Sequence, residues 1–280
     1  MLKQRMLTAV VLLAGFLAAL FYLPELYWDL LMLAVICAAA WEWGRLAGFT
    51  PSGAKVFSVL VAMLGIAIIV LTELWILPKD EPFIEMAFFA LFMVPVIFWM
   101  IAVPLWMKLR PHITNGFFLA AIGFIVLLPT WLAVVGLRDS SPSLLLAVMA
   151  TVWIADIAAY FVGKRLGRRK LAPTISPGKT WEGVVGALCG IMLYGAALCL
   201  IFSVSFWVIP GLLVLVVMSV VGDLFESLLK RQAGLKDSSH LLPGHGGVLD
   251  RIDGLTSTLP LACCAIYFFP GLGILNLLQL

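Results

Sequence analysis

Charge is scarce in this chain: Asp, Glu, Lys and Arg together supply 12% of its 280 residues, about half the share found in soluble domains. Apolar residues make up 63%, far more than a soluble fold of this length can hide from water, so a soluble fold is excluded. Strict apolar–polar alternation is missing too, which argues against a membrane β-barrel. In its place stand continuous apolar runs of about 20 residues, the length at which a helix crosses the hydrocarbon core. The chain therefore reads as an all-α integral membrane protein, in which each span satisfies its own backbone hydrogen bonds.

Cysteine chemistry has no support either. Cys37, Cys189, Cys199, Cys263 and Cys264 all lie in apolar runs without a Cys-x-x-Cys pair, and they read as small buried hydrophobes. No internal repeat or low-complexity linker interrupts the chain, so residues 1–280 are taken as one polytopic domain. The net charge of +3 belongs to no aromatic-interleaved basic domain, which argues against nucleic-acid binding.

Nine spans are predicted near 7–23, 28–43, 56–76, 84–106, 117–136, 143–162, 183–204, 206–229 and 255–278. The basic, then apolar, opening resembles a signal peptide. No small-x-small cleavage pattern precedes Pro24, so it is read as an uncleaved first span. With the N-terminus in the cytoplasm, 16 of the 18 basic residues face inside, and only Lys79 and Arg138 lie outside. That distribution obeys the positive-inside rule. Trp28, Trp41, Trp43, Trp75, Trp106 and Trp181 sit near span ends and are expected in an interfacial belt. Glu42, between two of them, is read as merely interfacial.

Two cytoplasmic loops, about 163–182 and 230–254, concentrate the glycines, prolines and charges. In the first, the turn Ser176-Pro177-Gly178-Lys179-Thr180 leads into a helix, where free N–H groups and a lysine suit a phosphate. Arg168, Arg169 and Lys170 read equally as anchors to anionic lipid, and Thr180 as a simple N-cap. It is not a Walker A loop, because Pro173 stands where the first glycine belongs. In the second, Asp223, Glu226, Ser227 and Lys230 share one helical face. Asp250 and Asp253 follow at i,i+3 at the start of the last span. Capping would explain Asp250 and Asp253, but not Asp223 towards a helix C-terminus. Three hard carboxylates at one membrane face suit Mg²⁺, which is usually held by one or two carboxylates and substrate phosphates. His240 and His245 fall in no zinc frame, and His245 among glycines is expected to position a phosphate or the loop. Asp156 lies inside a span, where a carboxylate is a functional candidate by default.

Ser227-Leu-Leu-Lys230-Arg231, Lys236-Asp237, Pro243, His245-Gly246-Gly247 and Asp250-Arg251-Ile-Asp253 are spaced as in the signature of the phosphatidate cytidylyltransferase (CDP-diacylglycerol synthase) family, which this chain resembles along its whole length. Trp153-Ile-Ala-Asp156, Gly163-Lys164 and the Ser176–Gly183 segment are similar to that family's as well. The opening and Trp41-Glu42-Trp43-Gly44 resemble its Gram-negative bacterial branch. The resemblance implies a multi-pass enzyme of the bacterial inner membrane that converts CTP and phosphatidic acid to CDP-diacylglycerol and pyrophosphate with Mg²⁺. It implies Asp223, Asp250 and Asp253 as metal ligands and, with Lys230 and Arg251, as the catalytic set. Ser176, Lys179, Thr180, Arg231, Lys236, His245, Gly246 and Gly247 are expected around substrate phosphates, with Asp156, Glu226 and Asp237 as further candidates. A homodimer is left open. The rival reading is an ion-coupled transporter using Asp156 and Asp223 as a relay. A CDP-alcohol phosphotransferase would need an Asp-Gly-x-x-Ala-Arg string, which is missing.

Overall fold

The computed structural model describes residues 2–73, 82–242, 244 and 246–268. Among them run ten α-helices: α1 (Leu2–Tyr22), α2 (Glu25–Leu46), α3 (Pro51–Glu73), α4 (Pro82–Ile97), α5 (Val103–Leu109), α6 (Gly116–Ser140), α7 (Pro142–Leu166), α8 (Trp181–Phe202), α9 (Val208–Gln232) and α10 (Leu249–Phe268). Local signals set several starts. Asn115 Oδ1 accepts from Phe118 N at 3.1 Å, Thr180 Oγ1 from Gly183 N at 3.1 Å, and Pro51 and Pro142 open α3 and α7, where a missing N–H costs nothing. A π-helical turn, Phe98–Ala102, joins α4 to α5. Pro104 has no N–H for the carbonyl four residues back, and the ladder there widens, with Val103 N reaching Phe98 O.

Seven helices among the described residues are long and apolar enough to cross a membrane: Glu25–Leu46, Pro51–Thr72, Phe89–Leu109, Gly116–Ser140, Pro142–Leu166, Trp181–Phe202 and Val208–Gln232. Val10–Tyr22 is apolar but shorter, and residues 269–278 of the expected last span lie outside the described residues. Large apolar side chains are exposed along the outer faces, among them Met63, Ile101, Leu193 and Leu200. Exposed apolar surface on this scale is what a lipid-facing bundle presents.

α7 packs most extensively on α8, α9 on α10, and α2 on α3, with α6 touching α2, α7 and α10. The tryptophan belt is partly corrected. Trp28, Trp43 and Trp106 are buried, whereas Trp181 is exposed. Trp43 spends its ring N–H on Leu119 O at 2.8 Å, and such a polar handle lets an indole sit inside a core. Cys189 is exposed on α8, against expectation, while Cys199, Cys263 and Cys264 are buried and all five are free. Arg138 donates to Leu20 O and Leu23 O at the C-terminal end of α1, where a cation suits the helix dipole.

The fold is not purely helical. Lys170–Ala172 (β1) and Ser176–Thr180 (β2) form an antiparallel hairpin between α7 and α8, with Lys170 opposite Thr180 and Ala172 opposite Ser176. The stretch read from sequence as a turn is a strand. It tolerates Pro177 because a two-stranded ribbon has a free edge.

Candidate active site at the hairpin end of the bundle

α9 is the spine of the site. One of its faces is fixed by Phe225, which meets Phe98, Trp99 and Trp106 edge-on at centroid distances of 5.5–5.8 Å. The adjoining face carries the charges. Asp223 accepts from Ser227 Oγ at 3.3 Å and pairs with Lys179 Nζ of β2 at 2.5 Å. Lys230 Nζ lies 3.1 Å from Glu226 Oε1 and 2.6 Å from Asp250 Oδ1, and these three side chains are at most one-tenth exposed. The i,i+4 pairs 223–227 and 226–230 are the face expected from the sequence.

α10 approaches α9 closely because Gly222 has no side chain. A Cβ there would lie 2.7 Å from Asp253 O and 2.5 Å from Ser257 Oγ. The approach brings Asp253 within electrostatic reach of Asp223, Lys179 and Lys230. Asp156 of α7 is likewise within reach of Lys179, Asp223 and Arg251. Asp223 thus pairs directly with Lys179, while Asp156 and Asp253 lie close enough to feel the same charge. Arg251 stands exposed at the rim.

Asp250 is placed differently. Its oxygens take Lys230 Nζ, Gly247 N at 2.8 Å and Ser238 N at 3.1 Å. Burial alone would raise this carboxyl. The hydrogen bonds from Lys230, Gly247 and Ser238, with the Lys230 charge, outweigh burial and hold it below the usual carboxylate range.

The remaining expected residues are distributed as follows. Ser176 is half-buried in β2 beside the exposed Pro177 and Gly178. Thr180 is buried and its hydroxyl caps α8, the N-cap alternative. Arg231 reaches Ile175 O at 3.4 Å and Leu235 O at 3.3 Å, so it ties the hairpin to α9. Lys236 and Asp237 are exposed on the loop. Gly246 adopts φ +82°, which favours glycine. Gly247 is buried beneath Ser238 and Glu42, where an added Cβ would fall 2.0 Å from Ser238 Oγ and 2.6 Å from Glu42 Oε1. Steric need there explains the glycine without a ligand. Pro243 and His245 lie outside the described residues.

Sequence reasoning missed Glu42. It is fully buried, not interfacial, and accepts from Ser238 Oγ, Ser239 Oγ, Val248 N and Leu249 N at 2.5–3.0 Å. The one available signal was a carboxylate flanked by tryptophans inside an apolar run, and it was assigned to the membrane surface.

Among the described residues no three acidic, histidine or cysteine side chains form a ready cage for a metal ion. Asp223, paired with Lys179, and Asp253, within its electrostatic reach, nevertheless offer hard oxygen donors. Such a half-site fits Mg²⁺, which completes its shell with waters and substrate phosphates.

The chain was compared with known proteins. Residues 3–269 match the Cytidylyltransferase family. A phosphatidate cytidylyltransferase of Pseudomonas aeruginosa is 39% identical over 279 residues, covering 95% of this chain and 97% of that one. That of Haemophilus influenzae is 37% identical over 294 residues, covering 96% and 99%. One from Thermotoga maritima is 38% identical over 142 residues, 48% of this chain and 53% of the relative. With a family match over residues 3–269 and relatives matching it nearly end to end, this chain belongs to the cytidylyltransferase family.

Proposed function

We propose that this enzyme makes CDP-diacylglycerol, transferring a cytidylyl group from CTP to phosphatidic acid with release of pyrophosphate. The observation that carries this reading, beside family membership, is the Lys179–Asp223 ion pair between the hairpin and α9, with Asp156 and Asp253 within its electrostatic reach. The ion-coupled transporter reading has no support. A family of nucleotidyltransferases accounts for the same carboxylates.

The chemistry forms a bond from a phosphatidate oxygen to the α-phosphorus of CTP and breaks the bond to the β-phosphate. A phosphomonoester with a second pKa near 6 is already largely dianionic at neutral pH, so no strong general base is required. The barrier is electrostatic, one polyanion approaching another, and positioning with charge neutralisation is what the protein must supply. Lys179, paired to Asp223 on the hairpin, is placed to exchange that carboxylate for a phosphate. Arg251 is exposed at the rim of the site, and Arg231 and Lys236 are exposed at and just beyond the C-terminal end of α9. Lys230 is too enclosed between Glu226 and Asp250 to meet substrate and acts as their internal counter-ion. Asp223 and Asp253 would hold Mg²⁺, and Asp250 would join them only by giving up Lys230. When bound, the ion would neutralise CTP phosphates and polarise the α-phosphorus.

The finer topology belongs to the same proposal: nine spans, N-terminus inside, site at the cytoplasmic face of a bacterial inner membrane. What supports it is that the basic loops sit together. Arg110 bonds Thr174 of the hairpin, Gln232 bonds Pro111 O, and Glu42 binds the loop before α10. Arg138 meanwhile lies with the opposite end of α1. Phosphatidic acid, anchored in the leaflet, and CTP from the cytosol would meet at this end.

The test is pyrophosphate release by detergent-purified protein given CTP, phosphatidic acid and Mg²⁺, each omitted in turn. Release is expected only with all three, together with a CMP-bearing lipid. Asp250→Asn is expected to abolish it without changing abundance, and near-normal turnover in that variant would remove Asp250 from the site.

A further inference from the structure

Glu42 touches none of the charges around Lys179, yet the loop that carries Asp250 is built on it. The carboxylate is 0% exposed and meets partners 196 to 207 residues away in sequence. Its Oε1 accepts from Ser239 Oγ at 2.5 Å and Val248 N at 3.0 Å, and its Oε2 from Ser238 Oγ at 3.0 Å and Leu249 N at 2.7 Å. Val248 and Leu249 stand at the start of α10, where N–H groups lack intrahelical partners and an anion is favoured. A helix cap normally comes from the adjoining residues; here it comes from α2.

Ser238 links this cap to the site. Its hydroxyl binds Glu42 while its own N–H binds Asp250, which in turn holds Lys230. Gly247 leaves no side chain between Glu42 and Ser238. We infer that Glu42 is a positioning residue for cytidylyl transfer: it fixes Ser238, Ser239, Val248 and Leu249 so that Asp250 and Asp253 are presented to Lys230 and Asp223. This rests on the reading of that loop as the active site.

Glu42→Gln separates positioning from mere bulk. Each carboxylate oxygen serves one hydroxyl and one backbone N–H. A serine hydroxyl can rotate to accept from the new amide NH₂, but a backbone N–H cannot reverse, so Val248 or Leu249 loses its acceptor. At roughly 10²-fold lost per ångström of misplacement, a displacement of about half an ångström would lower kcat about tenfold, while KM for CTP is expected to stay within about threefold. Amide hydrogen exchange should rise about tenfold in 238–250 and stay unchanged in α6. Ser238→Ala removes one donor and keeps its N–H on Asp250. It should give a smaller fall in kcat with the same local exchange, and it serves if Glu42→Gln fails to accumulate. Turnover within about twofold of the parent, or exchange rising equally in α6, would overturn the inference. Asp250→Asn measured alongside tells the two readings apart. An active Asp250→Asn sinks the active-site reading of the loop, whereas an inactive one beside a normal Glu42→Gln sinks only the role of Glu42.

Discussion

Gly222→Ala is expected to remove most of the turnover while leaving the protein inserted and folded. The new Cβ would lie 2.7 Å from Asp253 O and 2.5 Å from Ser257 Oγ, whereas ordinary contact begins at 3.4 Å. Neither neighbour can swing aside. One is backbone, and the other donates to Met218 O at 2.7 Å and Gly254 O at 3.1 Å. α9 and α10 must therefore part by about 0.7–0.9 Å, carrying Asp253 away from Asp223. Overpacking of this kind costs about 1–3 kcal/mol, which a bundle of this size survives. Catalysis is less tolerant. On a scale of roughly 10²-fold per ångström, that shift predicts a fall in kcat of about 25- to 60-fold. Gly211→Ala is the control, because the same helix has open space there. The assay is pyrophosphate release at saturating CTP and phosphatidic acid, with thermal unfolding in the same detergent. Gly222→Ala keeping more than half the parent turnover, or Gly211→Ala losing as much, would refute the claim that this contact sets the site.

Lys230→Met should be the most destabilising of these changes. It strands Glu226 and Asp250, both at most 6% exposed at the side chain, and breaking a buried pair costs about 3–5 kcal/mol. A melting temperature within about 2 °C of the parent would contradict it. Thr180→Ala should cost about 1 kcal/mol through loss of the α8 cap, and Thr180→Ser should restore it in the same melting assay. Lys179→Met should lower kcat yet tighten Mn²⁺ binding measured without CTP, because Asp223 loses its ion pair. Weaker Mn²⁺ binding would place Lys179 outside the carboxylate cluster.

The helices were legible because each apolar run is a local signal, and the Asp223–Ser227 and Glu226–Lys230 pairs followed from helical spacing alone. The hairpin was not legible. Pro177 and Gly178 advertise a turn, and only pairing with Lys170–Ala172 makes the segment a strand. Lys230 was placed on the right face beside Glu226, but its second partner, Asp250, depends on how α10 docks. Tryptophans 28, 43 and 106 were assigned to the lipid interface by position along the chain, while their burial depends on α1, α6 and the π-turn packing around them. Gly247 reads as a phosphate glycine until Glu42 is seen beneath it. In each case the missing information was a contact far away in sequence, which no window along the chain contains.

The remote cap also sets an order on biosynthesis. α2 is made early, yet the donors that receive its Glu42 carboxylate follow by 196 to 207 residues. Until they emerge, that carboxylate has none of its final partners and is costly to bury, so closing this corner of the bundle is a late event of assembly. A nascent chain lacking the 238–249 segment has its early helices in the membrane but no finished site. Catalytic competence thus waits for donors made long after α2, and a chain that has not reached them lacks the site that would work on the lipid around it.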